Sequence, residues 1–397
     1  MTTCVDPTTI CWYSTTAVTA AVKSNGRLLA WADSALRGTR SVVRAAVEQD
    51  GMALEDASSA LRDDISVVCV AVRQNGRALR YASDRLRNMY HVVMFAVRQF
   101  GWALQYASTD MRADRQILLT ALARQGQALE HAPEFARNDR SIVLAAVRSD
   151  GYALKYASTE LANDKEVVTA AIKQRGTSIR FATEVMLDDR NVVLDAISKN
   201  PDALRYVSYR LRCERVVALY AIQHRPVALE HVGWMLRDDK QVVVASVAAN
   251  GLALKHASAR LRNDKGVCYV AVSQTGHALQ FVVSPLMDDK GLVIEAVSTD
   301  GMALQHATEV LRADRDVASA AVAQNKDALQ HAAQWFQRSR ANWKKVRLFF
   351  IMRSFIVWRL DKVTKASYAA HFTSTGCAVI TGRSARQAKR DYAAMME

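Results

Sequence analysis

Proline and aromatic side chains are scarce. Only 5 of 397 residues are proline and 7% are aromatic, while half the chain is hydrophobic. So few helix breakers, with so much apolar material, exclude a Pro-rich disordered chain and favour regular helix. Cysteine is rare too. Cys4, Cys11, Cys69, Cys213, Cys268 and Cys377 form no C-x-x-C pair, which argues against a disulfide frame or a paired zinc site. Reduced thiols in an intracellular, cytoplasmic protein are the expectation. No apolar run reaches the roughly 18 uncharged residues a membrane span needs. The first residues, MTTCVDPTTICWYS, have neither a basic n-region nor an apolar h-region, so no secretory signal is expected. The phosphate-loop, dinucleotide, HExxH and GxSxG motifs are missing as well. The expectation is therefore a chain that is not an enzyme, with no catalytic residue, no metal, no cofactor and no small-molecule substrate.

A uniform excess of positive charge is also missing. The chain holds 53 basic and 39 acidic residues, a net +14. Thirteen of the basic and three of the acidic residues lie from Arg338 onward, which leaves 40 against 36 before it. Positive charge is thus concentrated in the last 60 residues, and a continuous basic groove for nucleic acid is not what composition indicates.

What is present is repetition. Glycine stands at 26, 51, 76, 101, 126, 151, 176, 251, 276 and 301, with Pro201, Pro226 and Lys326 in the same slot. Thirteen 25-residue units follow one another without insertion. Strict periodicity of this kind marks a stacked array, whatever the chain length. Each unit carries two helical apolar patterns. In the unit from Gly251, Ala253, Leu254, Ala257 and Leu261 form one stripe, and Val267, Cys268, Ala271 and Val272 another. Aspartates such as Asp64, Asp114, Asp139 and Asp164 stand as N-caps of the second helix. Glycine is expected as its left-handed terminator, and two alanine columns let helix axes approach closely. Serines such as Ser58 and Ser83 leave two readings of the first half: a separate short helix or 3₁₀ turn, or a single helix with a polar edge. The second is preferred. The expected fold is an all-α solenoid, right- or left-handed, of about thirteen two-helix repeats. Residues 1–13 are a lead-in, 14–340 the array, and 341–397 a basic helical cap or tail.

The text D-(R/K)-x-V-V-x-x-A-V-x-x-N-G-x-A-L-x-Y-A-S-x-x-L-R, best seen at DKEVVTAAIKQRGTSIRFAT (164–183), resembles the domain-of-unknown-function family numbered 4116. The resemblance covers about residues 14–337 and leaves the tail unmatched. It implies a tandem helical-repeat module and no activity or catalytic residue. Met89 and Tyr90 depart from the pattern, replacing the acidic cap and the basic residue after it.

Four sets of positions are candidates for function. An aromatic column (Trp31, Tyr81, Tyr106, His131, Tyr156, Phe181, Tyr206, His231, His256, Phe281, His306, His331) reads as an edge-of-core ring. Repeats about 10 Å apart are too distant for two imidazoles to share a metal. Basic residues after the caps, among them Arg115, Arg140, Arg190 and Arg215, oppose the helix dipole. Either neighbouring aspartates offset them in an ion-pair ladder or an anionic partner does. A second row runs through Arg37, Arg62, Arg87, Arg112, Arg137, Arg212, Arg237, Arg262 and Arg312. Met52, Trp102, Tyr152, Leu252 and Met302, with Trp234 and Trp335, are either scattered surface residues or a partner surface.

In the tail, Lys344, Lys345, Arg347, Arg353, Arg359 and Lys362 alternate with Trp343, Phe349, Phe350, Ile356 and Trp358. That pattern suits a cap on the last repeat, or docking to an acidic partner or membrane surface. A scaffold for a protein partner is the first expectation, nucleic-acid association through the tail and the Arg/Lys rows the second, and membrane-surface attachment through the tail helix the third.

Overall fold

The computed structural model describes residues 12–334. It opens with a long helix, Thr15–Ser24, and from Gly26 to Asn325 repeats one arrangement twelve times, the short middle helix being a 3₁₀ turn at Leu161–Asn163, Leu236–Asp238 and Leu286–Asp288. No strand occurs among the described residues. The chain divides into two compact units, the first ending at Val242 and the second beginning at Val243, each built from the same repeat.

The repeat from Gly51 shows the local logic. A 3₁₀ segment, Gly51–Asp56, is followed by a short α-helix, Ser59–Arg62, and a long α-helix, Ile65–Gln74. The expected single first helix is therefore two elements. The break falls at Ala57 and Ser58, both extended, with ψ of 151° and 154°. Its cause is a bond between repeats. The Ser58 amide donates to the Arg37 carbonyl at 3.0 Å, and Ser83 repeats this to Arg62, Ser108 to Arg87 and Ser158 to Arg137, all at 3.0 Å. A continuous helix would consume that N–H internally. The hydroxyl works both ways along the chain. Ser108 Oγ donates to Asn88 Oδ1 at 2.6 Å and accepts from the Met111 amide at 3.3 Å, tying the short helix to its predecessor.

Aspartate caps the long helix as its short side chain should. Asp64 Oδ1 accepts from the Ser66 amide at 2.8 Å and the Val67 amide at 3.3 Å. The same geometry recurs at Asp114, Asp139, Asp164, Asp189 and Asp314. Glu214 stands in the slot without a cap bond, its carboxylate being one methylene further out.

Glycine does not terminate the long helix in a left-handed turn, because no described glycine has positive φ. An extended residue ends the helix instead: Asn75, φ −146° and ψ 110°, donates its amide to Ala71 O at 2.8 Å. Glycine then opens the 3₁₀ segment, where space decides its identity. A Cβ on Gly51 would lie 2.4 Å from the Ala71 carbonyl oxygen. On Gly126 it would lie 2.2 Å from that of Ala146. Each column glycine thus lets its 3₁₀ segment touch the backbone of the long helix that follows. Pro201 and Pro226 suit the first position of a helical segment, which needs no N–H there, but they are only half-buried where the glycines are buried.

Packing follows directly. Within each unit, long helices lie against long helices and 3₁₀ segments against 3₁₀ segments, with the two layers facing each other. Ala53, Leu54, Val67, Val68, Ala71 and Val72 are at most 1% exposed, and their counterparts fill the core in repeat after repeat. Ten-residue helices are marginal alone, so this stacking holds them.

Candidate functional site: one spent edge and one open face

Two surfaces carry the polar chemistry. The first is the edge formed by the long-helix N-termini. There basic residues meet the cap of the next repeat: Arg115 with Asp139 at 2.9 Å, Arg140 with Asp164 at 2.9 Å, Arg190 with Glu214 at 3.0 Å and Arg215 with Asp239 at 3.4 Å. Lys165–Asp189 extends the ladder in the first unit, and Lys265–Asp289 and Lys290–Asp314 repeat it in the second. The cation that opposes its own helix dipole is thereby offset. The four arginines weighed as anion contacts each already hold a carboxylate. The carboxylates respond: the Arg140 guanidinium bond holds Asp164 below its ordinary range, and the Lys165 ammonium does the same for Asp189.

The second surface is the outer side of the 3₁₀ segments. Counting glycine as the first position, the second, fifth and sixth residues face outward. The sixth is the aromatic column, half-buried from Tyr81 to His331, with Trp31 more exposed. Tyr81 lies as expected of an edge-of-core ring, its hydroxyl donating to Glu55 Oε2 at 2.8 Å. Second-position residues lean on the ring of the next repeat. Trp102 meets His131 edge-on at 5.4 Å, Tyr152 meets Phe181 at 5.7 Å and His277 meets His306 at 5.5 Å. Burial lowers the pKa of His131, His231 and His306. No group of three or more potential ligands among the described residues is placed to hold a metal.

The candidate partner residues separate accordingly. Met52 and Trp102 line one open hollow of about 470 Å³ with Arg77, Arg80, Phe100 and Tyr106. Tyr152 belongs to the same face further along. Leu252 and Met302 take that position in the second unit, Leu252 being 41% exposed. Trp234 does not join them. It lies beside the short helices, 63% exposed, near Met235 in sequence and 25 residues after the similarly exposed Tyr209. Trp335, Lys344, Lys345, Arg347, Arg353, Arg359 and Lys362 fall outside the described residues.

The second arginine row is half-buried under the short helices. Arg137 shows its use: Nε donates to the Ala132 carbonyl at 3.0 Å and the guanidinium to that of Glu130 at 2.5 Å, closing the end of the 3₁₀ segment. In Arg37, Arg62, Arg87, Arg112, Arg212, Arg237, Arg262 and Arg312 the Nε is buried without a hydrogen-bond partner.

The fifth position was not singled out from sequence. Lys155, Arg180 and Arg205 occupy it in three successive repeats, and each lies over aromatic rings. Cations recurring 25 residues apart, with glutamate in the same place on either side at Glu130 and Glu230, were the available signal. Of the thiols, Cys69, Cys213 and Cys268 are free, and burial pushes Cys268 up to about 12, far from thiolate at neutral pH.

A family model for a domain of unknown function, DUF4116, matches residues 18–62, 39–87, 91–135, 139–186, 189–237, 239–282 and 289–337. The chain belongs to the DUF4116 family. Each match spans roughly two of the 25-residue units, so the DUF4116 module is a pair of the repeats described above. No curated protein and no solved structure matches the chain. No helix of the described residues is long and apolar enough to cross a membrane.

Proposed function

We propose that this DUF4116 chain is a non-enzymatic scaffold that binds a protein partner across the outer side of its 3₁₀ segments. One observation carries the reading: the regular columns are consumed by packing and stacking, while the outward second position changes from each repeat to the next. The glycine and alanine columns are taken up in packing 3₁₀ segments on long helices, and the aspartates and basic residues in the ladder between repeats. The second position runs Met52, Arg77, Trp102, Gln127, Tyr152 and Thr177. Such a row is specific to its place in the array, as a recognition surface must be. Half-buried Met, Trp and Tyr beside arginine are also the side chains that anchor protein interfaces.

The test is affinity purification of the full chain from its native source with nuclease present, then reconstitution with the purified partner. The reading requires direct binding that survives nuclease and weakens when Trp102 and Tyr152 are changed to alanine. Binding unaffected by both changes removes the 3₁₀ face from the proposal.

A second reading rests on the net +10 from Arg338 onward. It assigns phosphate contacts to Lys344, Lys345, Arg347, Arg353, Arg359 and Lys362. It predicts oligonucleotide binding whose logarithm falls linearly with the logarithm of salt and which disappears on truncation after residue 340.

A further inference from the structure

We propose that Lys155, Arg180 and Arg205 form a docking stripe for an extended acidic segment of a partner protein, with a carboxylate at every third residue. The stripe rests on the scaffold reading and names the chemistry of part of its partner.

The three cations stand out because they recur at one position in three successive repeats, each over a ring and none in an ion pair among the described residues. Elsewhere basic side chains are repeatedly paired across repeats: Arg175 with Asp150 at 3.3 Å, Lys165 with Asp189 at 2.8 Å, and Arg225 with Asp202. Lys155, Arg180 and Arg205 instead lie on rings. The Arg180 guanidinium is 4.4 Å from the Phe181 centroid, 4.9 Å from Tyr152 and 6.0 Å from Tyr206. Arg205 is 5.2 Å from Tyr206, and Lys155 Nζ is 5.2 Å from Tyr156. A guanidinium laid on an aromatic face keeps its charge and turns its N–H edge outward, and it loses little freedom when a carboxylate arrives. The rings are held in turn. Tyr152 packs edge-on to Phe181 at 82° and its hydroxyl is 2.8 Å from Thr177 Oγ1. The stripe is preorganised, which lowers the ordering cost of binding.

Spacing selects the occupant's shape. The cations hold the same place in consecutive repeats, so their anchor points are about 8–10 Å apart. A polyproline-type segment has three residues per turn and rises about 3.1 Å per residue, so every third side chain returns to one side after about 9 Å. Charge selects its length: Glu130 and Glu230 stand in the fifth position just beyond each end, confining favourable contact to three repeats. A long polyanion would meet both. A single nucleic-acid strand is also disfavoured because bases need free ring faces to stack on, and here guanidinium groups and ring edges already cover them.

The experiment is fluorescence anisotropy with the full chain and a labelled peptide of sequence Glu-Pro-Pro-Glu-Pro-Pro-Glu, against one with its three glutamates adjacent and against oligothymidylate of equal charge. The triple variant Lys155→Glu, Arg180→Glu, Arg205→Glu is expected to lose at least about tenfold in affinity, a few-fold per contact. Arg180→Lys keeps the charge but loses the planar stack and should weaken binding a few-fold. Lys255→Glu, in the same column of the second unit, should leave binding unchanged. If the triple variant does not fold, Lys155→Gln and Arg205→Gln take its place, each expected to cost a few-fold. The stripe is overturned if oligothymidylate binds more tightly than the spaced peptide, if the adjacent-glutamate peptide binds equally well, or if Lys255→Glu weakens binding as much as Arg180→Lys. Loss of the stripe while the reconstituted partner still binds through Trp102 and Tyr152 leaves the scaffold reading intact. Loss of both ends both.

Discussion

The edge of long-helix N-termini and the outer side of the 3₁₀ segments are built from the same repeats, yet they differ in how charge is used. On the edge, Asp139 accepts two backbone amides of its own helix and holds Arg115 of the preceding repeat. On the other side, Arg180 holds rings and no carboxylate. The edge is regular because each residue there answers to a neighbouring repeat. The 3₁₀ face varies because its outward residues meet the next repeat through ring contacts of differing kinds and leave part of each side chain exposed. Changes at the edge should therefore register in stability, and changes on the face in binding.

Both surfaces depend on the shared core, so the largest expected effect erases the comparison. Leu104→Ala, at a position with no exposure, should cost about 2–5 kcal/mol in chemical denaturation. Gly126→Ala comes next. Its new methyl would lie 2.2 Å from the Ala146 oxygen, and forcing the layers apart should cost about 1–3 kcal/mol. Asp139→Ala sharpens the contrast. Losing the cap should cost about 0.5–2 kcal/mol while peptide binding at Arg180 stays unchanged. Arg115→Ala removes an exposed pair with Asp139 and a hydrogen bond to Ser141 Oγ, and should cost at most about 1 kcal/mol, less at high salt. An Asp139→Ala variant as stable as the parent, or one that binds peptide poorly, would dissolve the distinction.

The smallest effect is a pH dependence on the 3₁₀ face. His131, His231 and His306 have folded-state pKa values below the ordinary 6.5 because burial penalises the charged ring. The unfolded chain then binds more protons than the folded one as pH falls through 6.5, so stability declines on that side. The edge behaves differently. Asp164 and Asp189, with pKa values lowered beneath 3.8 by their basic partners, keep their contribution until the pH drops below that value. Thermal unfolding from pH 8 to 3 should show two separate declines, and replacing the three histidines with glutamine should remove the upper one.

The period, the aspartate caps and the cross-repeat ion pairs were legible because each leaves an unambiguous residue type at a fixed spacing. Glycine was not, since a glycine column serves a left-handed turn and a close backbone approach equally well. Only the Ala71 carbonyl beside Gly51 decides between them. The split at Ala57 and Ser58 was hidden for a related reason. Apolar residues at Ala53, Leu54, Ala57 and Leu61 satisfy one helix as readily as a 3₁₀ segment and a short α-helix, while the hydrogen bond that breaks them apart comes from Arg37 in another repeat. Lys155, Arg180 and Arg205 escaped notice because the other columns were tracked by identity, and this one is informative only where neighbours differ in sign.

Cap carboxylates such as Asp139 and Asp164 belong to two repeats at once, and the amides of Ser58, Ser83, Ser108 and Ser158 reach back to the repeat before. Excising one whole 25-residue period would hand the same donors and acceptors to new but equivalent owners. Removing or adding a single residue would misalign every such exchange across the cut. Chains of this design can change length over generations only in whole steps, much as a ladder can be shortened by a rung and not by a fraction of one.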